Sequence, residues 1–298
     1  MTSRCRLLAF TLSVAIFGTS TVAATPPHVP PLTEPATHQE IPGKMIWANL
    51  VTPDLKAAER FYGGLFGWTF QDVAGAHAYA LALLQGMPVA GIAQRTIAPG
   101  KQRQPAWHIF LSVRDAGTAV SAATARGGRL LAPLRDYPDR GRAAVLADPQ
   151  GAVFGILQSQ SGDPVDALAP PGAFIWSTLL TSDPNAGAAF YQDLFGYQVF
   201  DASARPGMQH LVLASADYAR ASLNPLPADG RRHPHWLAFV RVRQVAPVLQ
   251  QAQSLGARVL VPAHMDRHGG EIAVIADPSG APIGLLEWSE TRSPGESP

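Results

Sequence analysis

Histidine and carboxylate side chains cluster near the C-terminal end of this sequence. His264, Asp266, His268 and Glu271 fall within eight residues, and alternate residues of an extended strand point to the same side. Imidazole and carboxylate groups that converge in this way bind divalent metal ions. A polar run of this kind is also typical of a solvated loop. We adopt the loop as the simpler interpretation and assign no metal ligands.

Several other kinds of chemistry are excluded by residue type. The single cysteine, Cys5, lies in the N-terminal leader discussed below, so the rest of the chain contains neither a disulfide nor a thiolate nucleophile. The chain has no nucleophile elbow and no phosphate-binding loop. Its 23 basic and 22 acidic residues give a net charge of +1. Because no basic stripe is present, nucleic acid is not expected as a partner.

The remaining residues form two copies of one pattern. Matching positions differ by 129 throughout, and such a constant offset indicates duplication of a module. The matched pairs are Trp47 and Trp176, Thr52 and Thr181, Asp54 and Asp183, Tyr62 and Tyr191, Gly67 and Gly196, Trp107 and Trp236, Gly127 and Gly256, and Asp148 and Asp277.

Each copy contains the order βαβββ twice. In the first copy Met45 to Val51 is predicted as a strand, Asp54 as a helix cap, and Gly67 as the helix end. Asp148 precedes Pro149 and is predicted to form a tight turn, as is its counterpart Asp277. Such units form incomplete barrels with helices outside, which predicts an α+β fold of two tandem modules.

The predicted organisation follows from these boundaries. It consists of a signal peptide (1–24), a Pro-rich tether without a core (25–43), module 1 (44–158), a linker (159–172), module 2 (173–290) and a C-terminal tail (291–298).

The motifs of each copy resemble those of the glyoxalase/bleomycin-resistance/dioxygenase superfamily, which has the vicinal oxygen chelate fold. The resemblance rests on the Phe61-Tyr62 pair, the Phe66-Gly67-Trp68 helix end, Gly141-Arg142 before a strand and the Asp148-Pro149 turn. It covers about residues 45–288 and is strongest to the tandem glyoxalase-like branch. This resemblance implies a barrel cavity in each module that could hold a small molecule.

Metal-dependent members of this superfamily carry His, Gln or Glu ligands at particular strand positions. The resemblance places six of these positions here, and only His108 could donate to a metal ion. The other five are Trp47, Trp176, Leu237, Gly155 and Gly284. A catalytic divalent site needs three or four converging donors, so we expect no metal cofactor. The resemblance does not place the ligand position on the fourth strand of the first βαβββ unit in either module.

Strand alternation places further side chains beside these positions. The predicted ligand-binding residues are Trp47, Asn49, His108 and Phe110 in module 1, with Trp176, Thr178, Phe239 and Arg241 in module 2. The alternative is that both tryptophans fill the vacated metal space as core residues. His108 could likewise be a base, a hydrogen-bond donor to a ligand, or a packed core residue.

Three functions remain compatible with the sequence. The first is an exported protein that binds a small, partly aromatic molecule without a metal ion, as resistance proteins of the superfamily sequester their ligands. The second is a glyoxalase-like lyase or isomerase, or a dioxygenase, that uses a non-standard site around His108. The third is a scaffold whose two barrels are both filled.

The N-terminal leader predicts export to the periplasm or the exterior. Arg4 and Arg6 precede an apolar stretch that is too short to span a bilayer stably, and small residues end at Ala24. We therefore expect cleavage after Ala24, which would leave a mature chain that begins at Thr25. Intact-mass spectrometry of exported protein checks this, and exported material that retains Met1 would contradict it.

Overall fold

The structure is a computed structural model that describes residues 28–74, 78–97, 104–204, 209–227, 233–266 and 269–288. The predicted signal peptide and C-terminal tail therefore lie outside the described residues. Four helices belong to the described part, two in each module: α1 (Leu55–Phe66), α2 (Ala116–Ala125), α3 (Pro184–Phe195) and α4 (Val245–Ser254). None of the helices described is long and apolar enough to cross a membrane.

Module 1 contributes eight strands to one open, mixed sheet. They are β1 (Met45–Thr52), β2 (Thr69–Asp72), β3 (Tyr79–Leu84), β4 (Met87–Gln94), β5 (Ala106–Ser112), β6 (Arg129–Tyr137), β7 (Gly141–Ala147) and β8 (Val153–Ser159). Their order is β2-β3-β4-β1-β5-β8-β7-β6, so β1 and β5 join the two βαβββ halves as an antiparallel pair. The first strand of each half also pairs in parallel with the last.

Module 2 repeats this arrangement strand for strand. Its strands are β9 (Phe174–Thr181), β10 (Gln198–Asp201), β11 (Leu211–Ser215), β12 (Tyr218–Pro225), β13 (His235–Val242), β14 (Arg258–Met265), β15 (Glu271–Ala276) and β16 (Pro282–Glu287). Their order, β10-β11-β12-β9-β13-β16-β15-β14, is that of module 1. The predicted α+β fold of two tandem modules with unclosed barrels is confirmed.

Local sequence signals explain where the helices begin and end. The Asp54 side chain accepts a hydrogen bond from the backbone N–H of Ala57 at 2.9 Å, and Asp183 caps α3 in the same way. Helix α1 ends at Gly67, which has a left-handed backbone conformation with φ of 71°. The predicted capping roles of Asp54 and Asp183 are therefore confirmed.

The helices lie between the two modules, and the hydrophobic core is shared across them. One cluster combines β1 and α1 of module 1 with β13, α4, β15 and β16 of module 2. The other combines the second half of module 1 with the first half of module 2. Each sheet therefore buries its convex face against its own helices and the other module. Its concave face takes no part in these two clusters.

Two equivalent hydrogen-bond chains cross this interface. The Tyr62 hydroxyl donates to Oδ2 of Asp277 at 2.9 Å and accepts from Trp107 Nε1 at 2.8 Å. The matching Tyr191 hydroxyl donates to Oδ2 of Asp148 at 3.1 Å. Oδ1 of each aspartate also accepts backbone N–H groups of its own turn, which confirms the predicted turn role. Their contact with the opposite module was not predicted.

The residue offset is not constant through the whole repeat. Strands β1 and β9 differ by 129, as do α1 and α3, but β4 starts at Met87 and β12 at Tyr218, a difference of 131. The loop after β12 is correspondingly shorter, so the offset returns to 129 at β5 and β13. This two-residue shift explains why the fourth strand could not be aligned from sequence.

The Pro-rich N-terminal segment differs from the expected free tether. Residues 28–43 form no helix or strand, but Val29 is buried against the concave face of module 1. The Thr37 hydroxyl donates to the carbonyl of Asp163 at 2.7 Å, and the Asp163 side chain accepts from Ile41 N at 2.6 Å. The segment is therefore packed against module 1 and the linker.

We expect Tyr62→Phe and Tyr191→Phe each to lower the free energy of unfolding by roughly 1.5–3 kcal/mol, because each removes a buried hydrogen bond to a carboxylate. Urea unfolding measures this. Tyr137→Phe is the control, since no hydrogen bond joins its hydroxyl to the described residues. A loss no larger than in the control would contradict the proposed stabilising role of these bonds.

Candidate ligand site

The pairing of the strands identifies the metal-ligand positions on the fourth strand of each first half, which could not be placed from the sequence. In the second half of module 1, His108 lies two residues before Phe110, which pairs with Gly155 of β8. In the first half, Trp47 lies two residues before Asn49, which pairs with Gly91 of β4. Gly91 is therefore the equivalent of Gly155. The four positions of module 1 that correspond to metal ligands of the superfamily are Trp47, Gly91, His108 and Gly155.

The same strand pairing identifies the four metal-ligand positions of module 2. Thr178 pairs with Ser222, and Phe239 pairs with Gly284. The four positions are Trp176, Ser222, Leu237 and Gly284.

Aromatic side chains occupy much of the space at these positions. In module 1, Trp47 and Phe110 are buried in one apolar cluster. A Cβ atom built on Gly155 would overlap the ring of Phe110, and one on Gly284 would overlap the ring of Phe239. A longer residue such as glutamate therefore cannot be accommodated at either glycine unless the adjacent phenylalanine moves.

The polar residues of the module 2 site are bonded within the chain. The Trp176 indole donates to Ser222 Oγ at 3.1 Å, and Thr178 Oγ1 lies 2.9 Å from the same oxygen. Arg241 donates from Nη1 to the carbonyl of Ala169 at 2.8 Å. Phe239 packs beside Trp176 in an apolar cluster, so the predicted site residues of module 2 are buried and their polar groups are hydrogen-bonded within the chain.

The residues present do not fit the divalent metal site of the superfamily. At these four positions module 1 offers His108 alone, and module 2 offers only the Ser222 hydroxyl, which is already bonded. Within the described ranges no group of three His, Cys, Asp or Glu residues could hold an ion. Of the C-terminal cluster, His264 is exposed on β14, whereas His268 lies outside the described residues.

Module 1 differs because polar atoms on its concave face have no partners among the described residues. Asn49 and His108 lie directly opposite each other on β1 and β5, and both are half-buried. Asn49 Oδ1 accepts from Trp47 Nε1 at 2.9 Å and from the Tyr79 hydroxyl at 3.0 Å. This fixes the amide so that Nδ2 is left to donate. In the part of the chain described, no residue bonds to the His108 ring.

Burial controls the protonation state of the groups around this face. It lowers the pKa of His108 to about 4, so the ring is neutral near pH 7 and can both donate and accept. Burial also raises the pKa of the Tyr79 hydroxyl to about 12, which keeps this group protonated as the donor to Asn49.

Arg140, in the turn between β6 and β7, is a site residue that sequence reasoning missed. Its guanidinium carbon lies 4.1 Å from the centroid of a Trp47 ring, and the side chain is only 4% exposed. Within the described residues, neither Nη1 nor Nη2 has a hydrogen-bond partner. The turn position gave no signal, because an arginine there is ordinarily solvated and the repeat has Gly269 at the equivalent position.

A separate cavity of about 390 Å³ lies between the modules, beside the first residues of β1 and β9. The linker lines one side of it, and Trp47 and Trp176 both border it. Its charged groups are paired: Asp166 contacts Lys44 Nζ at 2.7 Å and Arg220 Nη1 at 2.6 Å. It therefore lacks the unpartnered donors found on the concave face of module 1.

Comparison with known proteins agrees with this architecture. The model of the glyoxalase-like domain matches the chain twice, over residues 47–157 and 176–286. The chain belongs to this family. The predicted membership of the vicinal oxygen chelate superfamily, with tandem modules, is thereby confirmed.

Two relatives and one solved structure are similar to this chain. The protein named "Putative glyoxylase CFP32" from Mycobacterium tuberculosis is 29% identical over 81% of this chain and 93% of its own. The anthracycline biosynthesis protein DauV of Streptomyces sp. is 30% identical over 84% of this chain and 94% of its own. The Mn(II)-bound glyoxalase of Novosphingobium aromaticivorans shares the fold, with a TM-score of 0.58, 14% identity and 83% coverage of both chains.

We expect the purified protein to carry no stoichiometric divalent metal, because a single imidazole at the four ligand positions of module 1 and a bonded hydroxyl at those of module 2 cannot replace three or four donors. Elemental analysis after dialysis against Zn²⁺, Ni²⁺, Mn²⁺ or Fe²⁺ measures this. Weak binding that His264→Ala removes would come from the exposed C-terminal cluster. About one ion per chain that is lost in His108→Ala would contradict the prediction.

Proposed function

We propose that this glyoxalase-like protein is exported and binds a small, partly aromatic molecule on the concave face of module 1 without a metal ion. The observation that carries the proposal is the facing pair of Asn49 and His108, whose available hydrogen-bonding atoms have no partners within the described residues. Ligand sites characteristically combine apolar walls with a few such polar groups. Trp47 and Phe110 supply the aromatic walls.

The chemistry available here is recognition by hydrogen bonding. A neutral His108 can donate from one ring nitrogen and accept at the other, and Asn49 Nδ2 can donate. Together they match a ligand that presents a carbonyl or hydroxyl group beside an aromatic ring. Module 2 uses the equivalent space for internal bonds, so the proposal assigns binding to module 1.

Benzamide is a suitable neutral probe, because it joins a carbonyl and an amide to one aromatic ring. We expect it to bind at millimolar concentrations, and His108→Leu to weaken this binding about threefold to tenfold, since one hydrogen bond contributes roughly 0.5–1.5 kcal/mol. Leucine is the residue that module 2 carries at this position, Leu237. Ligand-observed NMR with a titration measures the dissociation constants.

His264→Leu is the matched control, because it makes the same substitution at an exposed histidine on β14 of module 2, outside the proposed site. Binding should also stay constant from pH 8 to about 5 and fall as the pH approaches the His108 pKa of about 4, where the ring gains a proton and can no longer accept. No benzamide binding, or equal weakening in both variants, would contradict the proposed function.

A further inference from the structure

The guanidinium of Arg140 is a buried cation for which the described residues supply no anion. Among the described residues no carboxylate forms an ion pair with it, and Tyr79 is the only ionisable neighbour that influences its charge. Its contact with the Trp47 ring satisfies part of the charge through the ring quadrupole. The two terminal nitrogens nevertheless lack acceptors in the described part of the chain, which is rare for a group that donates five hydrogen bonds.

Such an arrangement is destabilising in a free protein. A charge removed from water costs free energy unless it is paired and hydrogen-bonded. Arginine also cannot escape this cost by losing its proton near pH 7, because burial lowers its pKa only to about 10. A core that needed only to cover an indole would use an apolar side chain.

In module 2 an uncharged side chain covers the equivalent indole. There the Trp176 indole stacks against the indole of Trp288, with ring centroids 6.4 Å apart. The position equivalent to Arg140 is Gly269. Covering the tryptophan therefore does not require a cation, and the arginine of module 1 needs a separate explanation.

We infer that Arg140 is the anion-binding group of the module 1 site and that the natural ligand is a small aromatic carboxylate. This inference rests on the proposed function and adds the charge of the ligand to it. The planar guanidinium presents parallel N–H groups that match the two oxygens of a carboxylate. The Trp47 ring beneath it provides an aromatic surface, and Asn49 and His108 remain for the other polar groups of the ligand.

Benzoate and benzamide test this, since they have nearly the same shape and differ in charge. Wild-type protein should bind benzoate at least tenfold more tightly than benzamide at pH 7. Arg140→Met, which keeps a long side chain over Trp47, should abolish this preference by lowering the benzoate affinity at least tenfold more than the benzamide affinity. Arg135→Met, at an exposed position of the neighbouring strand β6, should keep the preference.

Thermal unfolding of the ligand-free protein gives a readout that a merely structural arginine would not produce. Because Arg140→Met removes an uncompensated buried charge, we expect its Tm to rise above that of wild type, whereas the Tm of Arg135→Met stays unchanged.

Each outcome decides a specific point. Equal binding of the two probes in wild type would overturn the anion site and leave the proposed function standing. Equal weakening of both probes in Arg140→Met, together with a lower Tm, would show that Arg140 supports the fold and would overturn the inference. Binding of neither probe would overturn the proposed function and the inference with it.

Discussion

Two aspartates are buried where the modules meet, and each needs hydrogen bonds to remain there. Asp148 and Asp277 obtain some from the backbone of their own turns and one from a tyrosine of the opposite module. Since burial raises the pKa of Asp148, the carboxylate depends on these donors. The bonds fix the distance and angle between the modules, and the aromatic residues around each tyrosine pack against that fixed point.

This interface determines which surfaces can carry function. The convex face of each sheet is occupied by helices and by the other module, so changes there disturb a shared core. The concave faces do not contribute to that core and can diverge. On these faces a large side chain and a glycine change together: Phe110 can lie across β8 only because residue 155 has no side chain. The absence of a ligand side chain at residue 155 and the presence of the Phe110 ring are therefore one structural feature.

The sequence predicted the features that depend on local chemistry and on the repeat. Helix caps at Asp54 and Asp183, the βαβββ order and the two modules follow from residue type and spacing, because these elements form from short-range interactions. The bonds from Tyr62 and Tyr191 to the opposite module were not predictable, since periodicity gives the buried face of a helix but not its partner. Arg140 was missed for a related reason: burial of a turn residue depends on the strands that surround it.

The contrast between the modules follows from their shared core. Module 2 bonds its concave-face groups internally, as Thr178 does to Ser222, and this contributes stability. Within the described residues, module 1 leaves Asn49, His108 and Arg140 incompletely bonded, which lowers its stability. Because the two halves of each module pack into different clusters that both span the interface, module 1 cannot unfold without disrupting module 2. The internal bonds of one copy thus offset the cost of the incompletely bonded groups in the other, and this explains how duplication allows one copy to keep unsatisfied polar groups.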